Sequence, residues 1–228
     1  MVGVDKLSYA EEAASPATGL VESKLIINST ISDANKNARF MSVDLKDHFL
    51  ASPMRNPDFM KIHISKFPQD IIEQYNLREK MDSKEFVYIK IKKGMYGLKQ
   101  ASILDYEHLV HLLAPHGYYP EPHCVEIWSH KTRPTKFCLC VDDFGVKCFT
   151  KDDADHLLNA LRQSYKISVD WTCRNYRGLA MDWNYEKGFV DISMPNYVPK
   201  ALHRFQHPPP SKLQYSPHKW LAPIFGAK

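Results

Sequence analysis

The feature that most constrains this fold is an acidic doublet inside an otherwise apolar segment. Residues 135–149 read TKFCLCVDDFGVKCF, two apolar runs separated by Asp142 and Asp143, with Gly145 close behind. Apolar runs around a short polar break predict a β-hairpin, so the two acids are expected at or beside its turn. Carboxylates at the end of apolar strands lose hydration and repel each other, which disfavours their charged forms unless a cation compensates.

A second apolar strand also ends in an acid. Residues 38–45, ARFMSVDL, have the pattern of a short buried strand that ends near Asp44. Between residues 40 and 171 the predicted elements run strand, helix, strand, strand, helix, strand, which is the order of a split βαβ, ferredoxin-like arrangement. We therefore predict an α+β fold in which an antiparallel sheet carries helices on one face. If the strand that ends at Asp44 lies beside the hairpin, three carboxylates converge at one edge.

Three converging carboxylates suit two-metal phosphoryl transfer. Mg²⁺ prefers hard oxygen ligands, and two ions about 3.5–4 Å apart stabilise the attacking and leaving oxygens of an in-line displacement. A solvated, purely structural doublet is the competing interpretation, because the chain has another acidic pair at Asp152 and Asp153. The pattern alone leaves both interpretations open.

The other elements are predicted from periodicity and turn residues. A weak helical pattern covers residues 23–40, with Leu25, Ile26, Ile31 and Ala34 expected to face inward. The further predictions are a strand over residues 86–93, a helix over 101–117, a capped helix after Thr150, a strand over 166–171, a hairpin around 186–188 and a final helix with Pro195 in its first turn.

Composition constrains the compartment more than the function. The chain has 228 residues and a formal net charge of +4, which permits a polyanionic partner without requiring one. No apolar run approaches the roughly 20 residues of a membrane span, and the N-terminus lacks a signal-peptide pattern. Five cysteines without a C-x-x-C pair fit a reducing environment. We expect an intracellular protein, cytoplasmic or nuclear, with no membrane partner.

Four motifs, in order along the chain, resemble those of reverse transcriptases from copia-type LTR retrotransposons. FCLCVDDFGVK at residues 137–147 resembles the x-V-D-D box, and SVDLKDHFL at 42–50 resembles the first aspartate motif. KKGMYGLKQA at 92–101 is similar to the A-L-Y-G-L-K-Q-S box. Residues 176–205, from YRGLAMDW to KALHRF, are similar to the F-L-G-I-E hairpin and the segment after it. The chain thus resembles the reverse transcriptase domain of a Pol polyprotein.

The resemblance implies an RNA-directed DNA polymerase that extends a primer with dNTPs on an RNA or DNA template. It implies that Asp44, Asp142 and Asp143 are catalytic and, with the backbone oxygen of Leu45, bind two Mg²⁺ ions, for which Mn²⁺ can substitute. Phe49 matches the aromatic residue that blocks a ribose 2′-hydroxyl. The other implied positions are Asp47, His48 and Gln100 for the nucleotide, and Gly97, Lys99 and Gly178 for the template and primer.

Three positions depart from the family pattern. His48 stands where a small residue normally packs near the nucleotide, so its side chain is expected to narrow the pocket. Ile103 and Asp105 replace the Arg and Trp of the S-P-R-x-W sequence.

The resemblance also implies a division of the chain. We expect a residual fingers segment at residues 1–39, a palm at 40–194 with inserted fingers elements at 66–100, and the start of a thumb with a proline-rich tail at 195–228. A fragment of a larger polyprotein, or a decayed copy of one, is therefore expected. Two functions stay open: a polymerase core, favoured by the three aspartates, and a catalytically inactive truncated relic that at most binds nucleic acid weakly, favoured by the departures.

Overall fold

The computed structural model describes residues 16–98 and 100–206 as an α+β fold with antiparallel sheets, which confirms the predicted class. The α-helices in this part of the chain are α1 (Leu20–Ser32), α2 (Gln69–Gln74), α3 (Ala101–Leu113), α4 (Lys151–Leu161) and α5 (Tyr197–Arg204). The strands are β1 (Arg39–Lys46), β2 (Pro53–His63), β3 (Phe86–Lys93), β4 (Tyr118–Glu121), β5 (Cys124–His130), β6 (Lys136–Cys140), β7 (Asp143–Cys148), β8 (Lys166–Asp170), β9 (Asn175–Tyr176), β10 (Leu179–Asn184) and β11 (Phe189–Ser193).

Six strands form the main sheet, in the order β4-β5-β6-β7-β1-β8. All neighbours are antiparallel. The β6–β7 hairpin lies beside β1, with Arg39 opposite Cys148 and Val43 opposite Phe144. The predicted hairpin and its position next to the strand of Asp44 are therefore confirmed.

One face of this sheet packs against α3 and α4. Alternate residues of β1, namely Met41, Val43 and Leu45, are fully buried there, and burial of each such side chain contributes about 1.5–3 kcal/mol. The helix side chains in the same cluster include Leu109, Leu113, Leu157, Leu158 and Leu161. The predicted cap of α4 is present, since the Thr150 hydroxyl accepts a hydrogen bond from the Asp153 amide at 3.1 Å.

The opposite face is also covered, so the prediction of helices on one face only is wrong. Phe40 and Cys138 point away from the first core and pack with α1 and the small sheet β9-β10-β11. The buried ammonium of Lys147, on β7, donates hydrogen bonds to the Ser29 carbonyl at 3.0 Å and to Asp33 at 2.6 Å. Apolar residues on both faces of the central strands, and this lysine, hold α1 against this face of the sheet, a position that the sequence pattern did not predict.

A two-stranded ribbon, β2–β3, lies between β1 and α3 in sequence. The alternation of FVYIKIKK predicts β3 correctly, whereas β2 was not predicted because Pro53, Asn56 and Pro57 are poor strand residues. The ribbon register shifts between Pro53 and Asp58, which accommodates these residues.

Two detailed helix predictions are wrong. Leu25 is 53% exposed although it was predicted to face inward, because α1 turns Ile26 and Ile27 toward the sheet instead. Helix α5 begins at Tyr197 with Asn196 at its N-cap, so Pro195 lies before the first turn.

The described residues also bear on thiols and membrane spans. All five cysteines are free. Burial raises the pKa of Cys148 to about 11 and that of Cys173 to about 12, so both thiols stay protonated near neutral pH. Among the helices of residues 16–98 and 100–206, none is long and apolar enough to cross a membrane.

Candidate functional site

The register of the central strands brings the predicted carboxylates to one end of the sheet. Asp44 lies directly opposite Asp143 on β7, and Cα atoms of such antiparallel partners are about 4.5–5.5 Å apart. Asp142 precedes β7 in the hairpin turn, where Val141 adopts a left-handed φ of 59°. The Leu45 amide donates a hydrogen bond to the Asp142 carbonyl at 3.0 Å. Main-chain bonding therefore joins the turn to β1.

The electrostatics of this end reflect mutual repulsion among the acids. Burial, and then the charges of Asp142 and Asp44, raise the pKa of the half-buried Asp143, while Arg177 opposes the shift. All three carboxylates affect the pKa of the Tyr96 hydroxyl. Burial raises its pKa, and the charges of Asp142, Asp143 and Asp44 raise it further. Asp142 and Asp44 are therefore close enough to disfavour the charged form of Asp143.

Two neighbours contact the acids and were not assigned a role from the sequence. The Tyr96 hydroxyl donates a hydrogen bond to Asp142 Oδ2, and the Ser168 hydroxyl donates to Asp44 Oδ2, both at 3.3 Å. Tyr96 stands inside the KKGMYGLKQA motif, which pointed to the segment without singling out this side chain. Ser168 lies on β8 opposite Asp44, and no sequence pattern distinguishes it from other strand serines.

The donor chemistry of these residues fits a hard divalent cation. Asp44, Asp142 and Asp143 supply carboxylate oxygens at adjacent strand ends, and their repulsion is the cost that a cation would relieve. Leu45, whose carbonyl was the fourth predicted ligand, has a buried side chain and sits opposite Ile167. Within the described part of the chain, no three His, Cys, Asp or Glu side chains are grouped closely enough to hold a metal ion as they stand.

The predicted nucleotide residues differ in their surroundings. Asp47 is exposed in a left-handed conformation with φ 54°. Phe49 is buried, and its ring is perpendicular to that of Tyr96, with the ring centroids 4.7 Å apart and an interplanar angle of 90°. The Gln100 amide donates to Asp58 Oδ2 on β2 at 2.8 Å. Phe49 and Asp47 thus lie on the turn after β1, and Gln100 contacts the β2–β3 ribbon.

His48 and Asp105, two of the departures from the family pattern, contact each other. His48 is 4% exposed, and its Nε2 lies 2.7 Å from Asp105 Oδ2. The hydroxyls of Ser52 and Tyr165 both donate to Asp105 Oδ1, at 2.9 and 3.3 Å. The imidazole is directed into a polar network with α3 and, with Phe49 and Asp105, lines a cavity of about 10 Å³. The expected narrowing of the nucleotide pocket by His48 stays a prediction. His48 and Asp105 thus form one hydrogen-bonded unit, in which His48 Nδ1 has no partner among the described residues.

Two of the three predicted template and primer positions are glycines in left-handed turns. Gly97 has φ 96° and Gly178 has φ 78°, conformations that disfavour side chains. A Cβ at Gly178 would meet no atom within 4 Å, so conformation and not crowding accounts for glycine there. Lys99 lies outside the described residues.

Comparison with known proteins yields one structural likeness. No family model and no curated protein matches the chain. The solved structure of telomerase from Candida albicans, in complex with a TWJ fragment of telomeric RNA, is similar with a TM-score of 0.43 and 14% sequence identity. The similarity covers 86% of this chain and 39% of the telomerase chain. This chain therefore spans well under half the length of the protein to which it is similar.

Proposed function

We propose that this chain is the catalytic core of a copia-type reverse transcriptase, an RNA-directed DNA polymerase that extends a primer with dNTPs. The observation that carries the proposal is the register that sets Asp44 opposite Asp143, with Asp142 in the adjoining turn. The four motifs that resemble this family include both of these strand ends. In this proposal the main sheet is the polymerase palm, and the β2–β3 ribbon belongs to the fingers.

The carboxylates would hold two Mg²⁺ ions, with the Leu45 carbonyl as a further ligand. When bound, the ions would neutralise the acids and stabilise the charge that develops during phosphoryl transfer. The hydroxyls of Tyr96 and Ser168 restrict the rotation of Asp142 and Asp44 by donating to one oxygen of each. Each carboxylate keeps its other oxygen for a cation.

The Phe49 ring would discriminate against a ribose 2′-hydroxyl. Its position is held by the perpendicular Tyr96 ring and by the close approach of Gly94, where a Cβ would lie 2.8 Å from the Phe49 carbonyl oxygen. Asp47 and Gln100 would border the nucleotide, with His48 acting from behind through its bond to Asp105. Gly97, Lys99 and Gly178 would meet the template and primer.

A second candidate function is an inactive relic that binds nucleic acid weakly. It is favoured by one observation: two of the four predicted nucleotide-binding side chains, His48 and Gln100, are engaged with Asp105 and Asp58. Substrate would have to displace the Gln100–Asp58 bond to recruit the amide.

Primer extension separates the two functions. The chain is incubated with poly(rA)/oligo(dT), dTTP and Mg²⁺, beside Asp142→Asn/Asp143→Asn and the surface control Asp152→Asn. The proposal expects extension by the parent and by Asp152→Asn, and none by the double variant. Extension by the parent no greater than that of the double variant, with retained oligonucleotide binding, would establish the relic.

A further inference from the structure

A groove lies at the start of β1, remote from the carboxylates. It consists of two cavities, of about 320 and 440 Å³, that both include Arg39 and Trp171 in their walls. Arg39 is five residues from Asp44 along β1, or roughly 17 Å at about 3.4 Å per residue. The volumes fall within the range of about 300–1,000 Å³ typical of small-molecule sites. This groove plays no part in the function proposed above.

The groove exists because β8 is shorter than β1 at this end. The last residue of β8, Asp170, lies opposite Ser42, so the first residues of β1 have no partner on that side. The chain leaves the sheet at Trp171, whose side chain is 47% exposed. No ring contact, hydrogen bond or ion pair engages this indole within residues 16–98 and 100–206. One wall is thus a free aromatic face.

The other wall is a guanidinium held in place by a stack of rings. The Arg39 guanidinium lies 4.4 Å from the centroid of the Tyr185 ring. Tyr185 stacks on Trp183 at 5.3 Å and 6°, and Trp183 stacks on Phe40 at 5.3 Å and 26°. Arg39 also donates a hydrogen bond to the Ala38 carbonyl at 2.8 Å. The cation is therefore ordered before any ligand arrives, which lowers the entropy cost of binding.

The charges around the groove favour an anion. The charged residues in the walls of the two cavities are Arg39, Arg174, Lys151 and Asp182. Arg174 is exposed, and Lys151 has only a loose contact with Asp155 at 3.8 Å. Three cations face one carboxylate, and Asp182 can accept a hydrogen bond from an amino group. An aromatic face, an ordered guanidinium and two exposed cations together match a planar base that carries a phosphate.

We infer that this groove binds a nucleotide unit, with the base against Trp171 and Arg39 and the phosphate at Arg174 and Lys151. Stacking on an aromatic side chain tolerates any base, because every base has a π-face. The unit comes either from a free nucleotide or from single-stranded nucleic acid. In both cases the same four side chains provide recognition.

Binding is measured by anisotropy of fluorescein-labelled oligo(dA) of eight nucleotides in EDTA, with AMP as competitor. We expect Trp171→Ala and Arg174→Ala each to weaken binding about tenfold, and Trp171→Phe to restore most of the affinity. The control Arg78→Ala replaces an exposed cation outside the groove walls and should bind like the parent. Thermal melts establish that each variant is folded.

AMP that displaces the oligonucleotide identifies free nucleotide as a ligand, and failure of AMP to displace it identifies single-stranded nucleic acid. Parental affinity in Trp171→Ala/Arg174→Ala, or binding of neither probe by the parent, would overturn the inference.

Discussion

The two Asp-Asp doublets of this chain have the same composition and opposite surroundings. Asp152 and Asp153 open α4, where Arg133 lies 2.7 and 3.0 Å from their carboxylates and Thr150 donates to Asp153 at 2.6 Å. At the other doublet, Asp142 and Asp143 form no ion pair within the described residues, and the pKa of Asp143 is raised by burial and by its acidic neighbours. Acids that are paired with basic or donor side chains, here called compensated acids, stabilise the fold. Acids without an ion pair, here called uncompensated acids, retain a charge that a ligand can neutralise.

Asp105 is a buried acid with three side-chain partners, so its loss should have the largest effect. Asp105→Ala leaves His48 buried without its partner and should lower the free energy of unfolding by about 3–5 kcal/mol. Urea unfolding monitored by circular dichroism gives the value. In the matched variant His48→Leu/Asp105→Leu the loss should be smaller, because His48 is no longer left buried without its partner. The Ser52 and Tyr165 hydroxyls still lose their acceptor in this variant, so part of the loss should remain. A decrease in the free energy of unfolding below about 1 kcal/mol for Asp105→Ala would show that the partners of Asp105 contribute little to stability.

The uncompensated doublet should respond to a cation. Mn²⁺ at about 100 times its Kd should stabilise the parent by about 2.7 kcal/mol, and Asp142→Asn/Asp143→Asn should abolish this gain. The melting temperature with and without Mn²⁺ measures the effect. Asp152→Asn serves as the control and should retain the shift. Equal shifts in all three proteins would show that the cation acts elsewhere.

Asp153 should behave as a structural acid. Asp153→Asn weakens its bonds from Arg133 and Thr150 and should destabilise the protein by about 2 kcal/mol. Chemical unfolding with Asp152→Asn alongside tests this, since the exposed Asp152 should contribute no more than about 1 kcal/mol. If Asp153→Asn left the free energy of unfolding unchanged, the two doublets would not differ in their contribution to stability.

Asp143 should show the smallest effect, with the opposite sign. Because its pKa is raised in the folded state, its charge opposes folding, and stability is lost as the pH rises through the folded pKa. Asp143→Asn should therefore stabilise the cation-free protein by about 0.5 kcal/mol at pH 7. The gain should vanish below the ordinary pKa of 3.8, where both proteins are neutral at this position. Melting temperatures between pH 3 and 7 would contradict this if the variant were the less stable throughout.

Local signals predicted the elements that position the acids. Short apolar runs predicted β1 and the hairpin, and Thr150 with Asp153 predicted the start of α4, because hairpin formation and helix capping depend on residues close in sequence. The bond between His48 and Asp105 was beyond prediction, since the two residues are distant along the chain and belong to no common pattern. In the sequence each is only a separate departure from the family pattern.

The remaining errors have the same origin. Strand β2 contains Pro53 and Pro57 and is paired only because β3 offers a partner. The face of α1 that meets the sheet depends on Lys147, whose buried ammonium no periodicity in the helix could reveal. Tertiary contacts decided both.

The hydrogen bond from the Leu45 amide to the Asp142 carbonyl makes the backbone structure at this strand end independent of the side chain at position 142. Backbone atoms alone make it, so the hairpin end stays fastened to its neighbour whichever side chain occupies position 142. Mutation can therefore erase or restore an acid there while the architecture persists, and selection can act on reactivity independently of foldability.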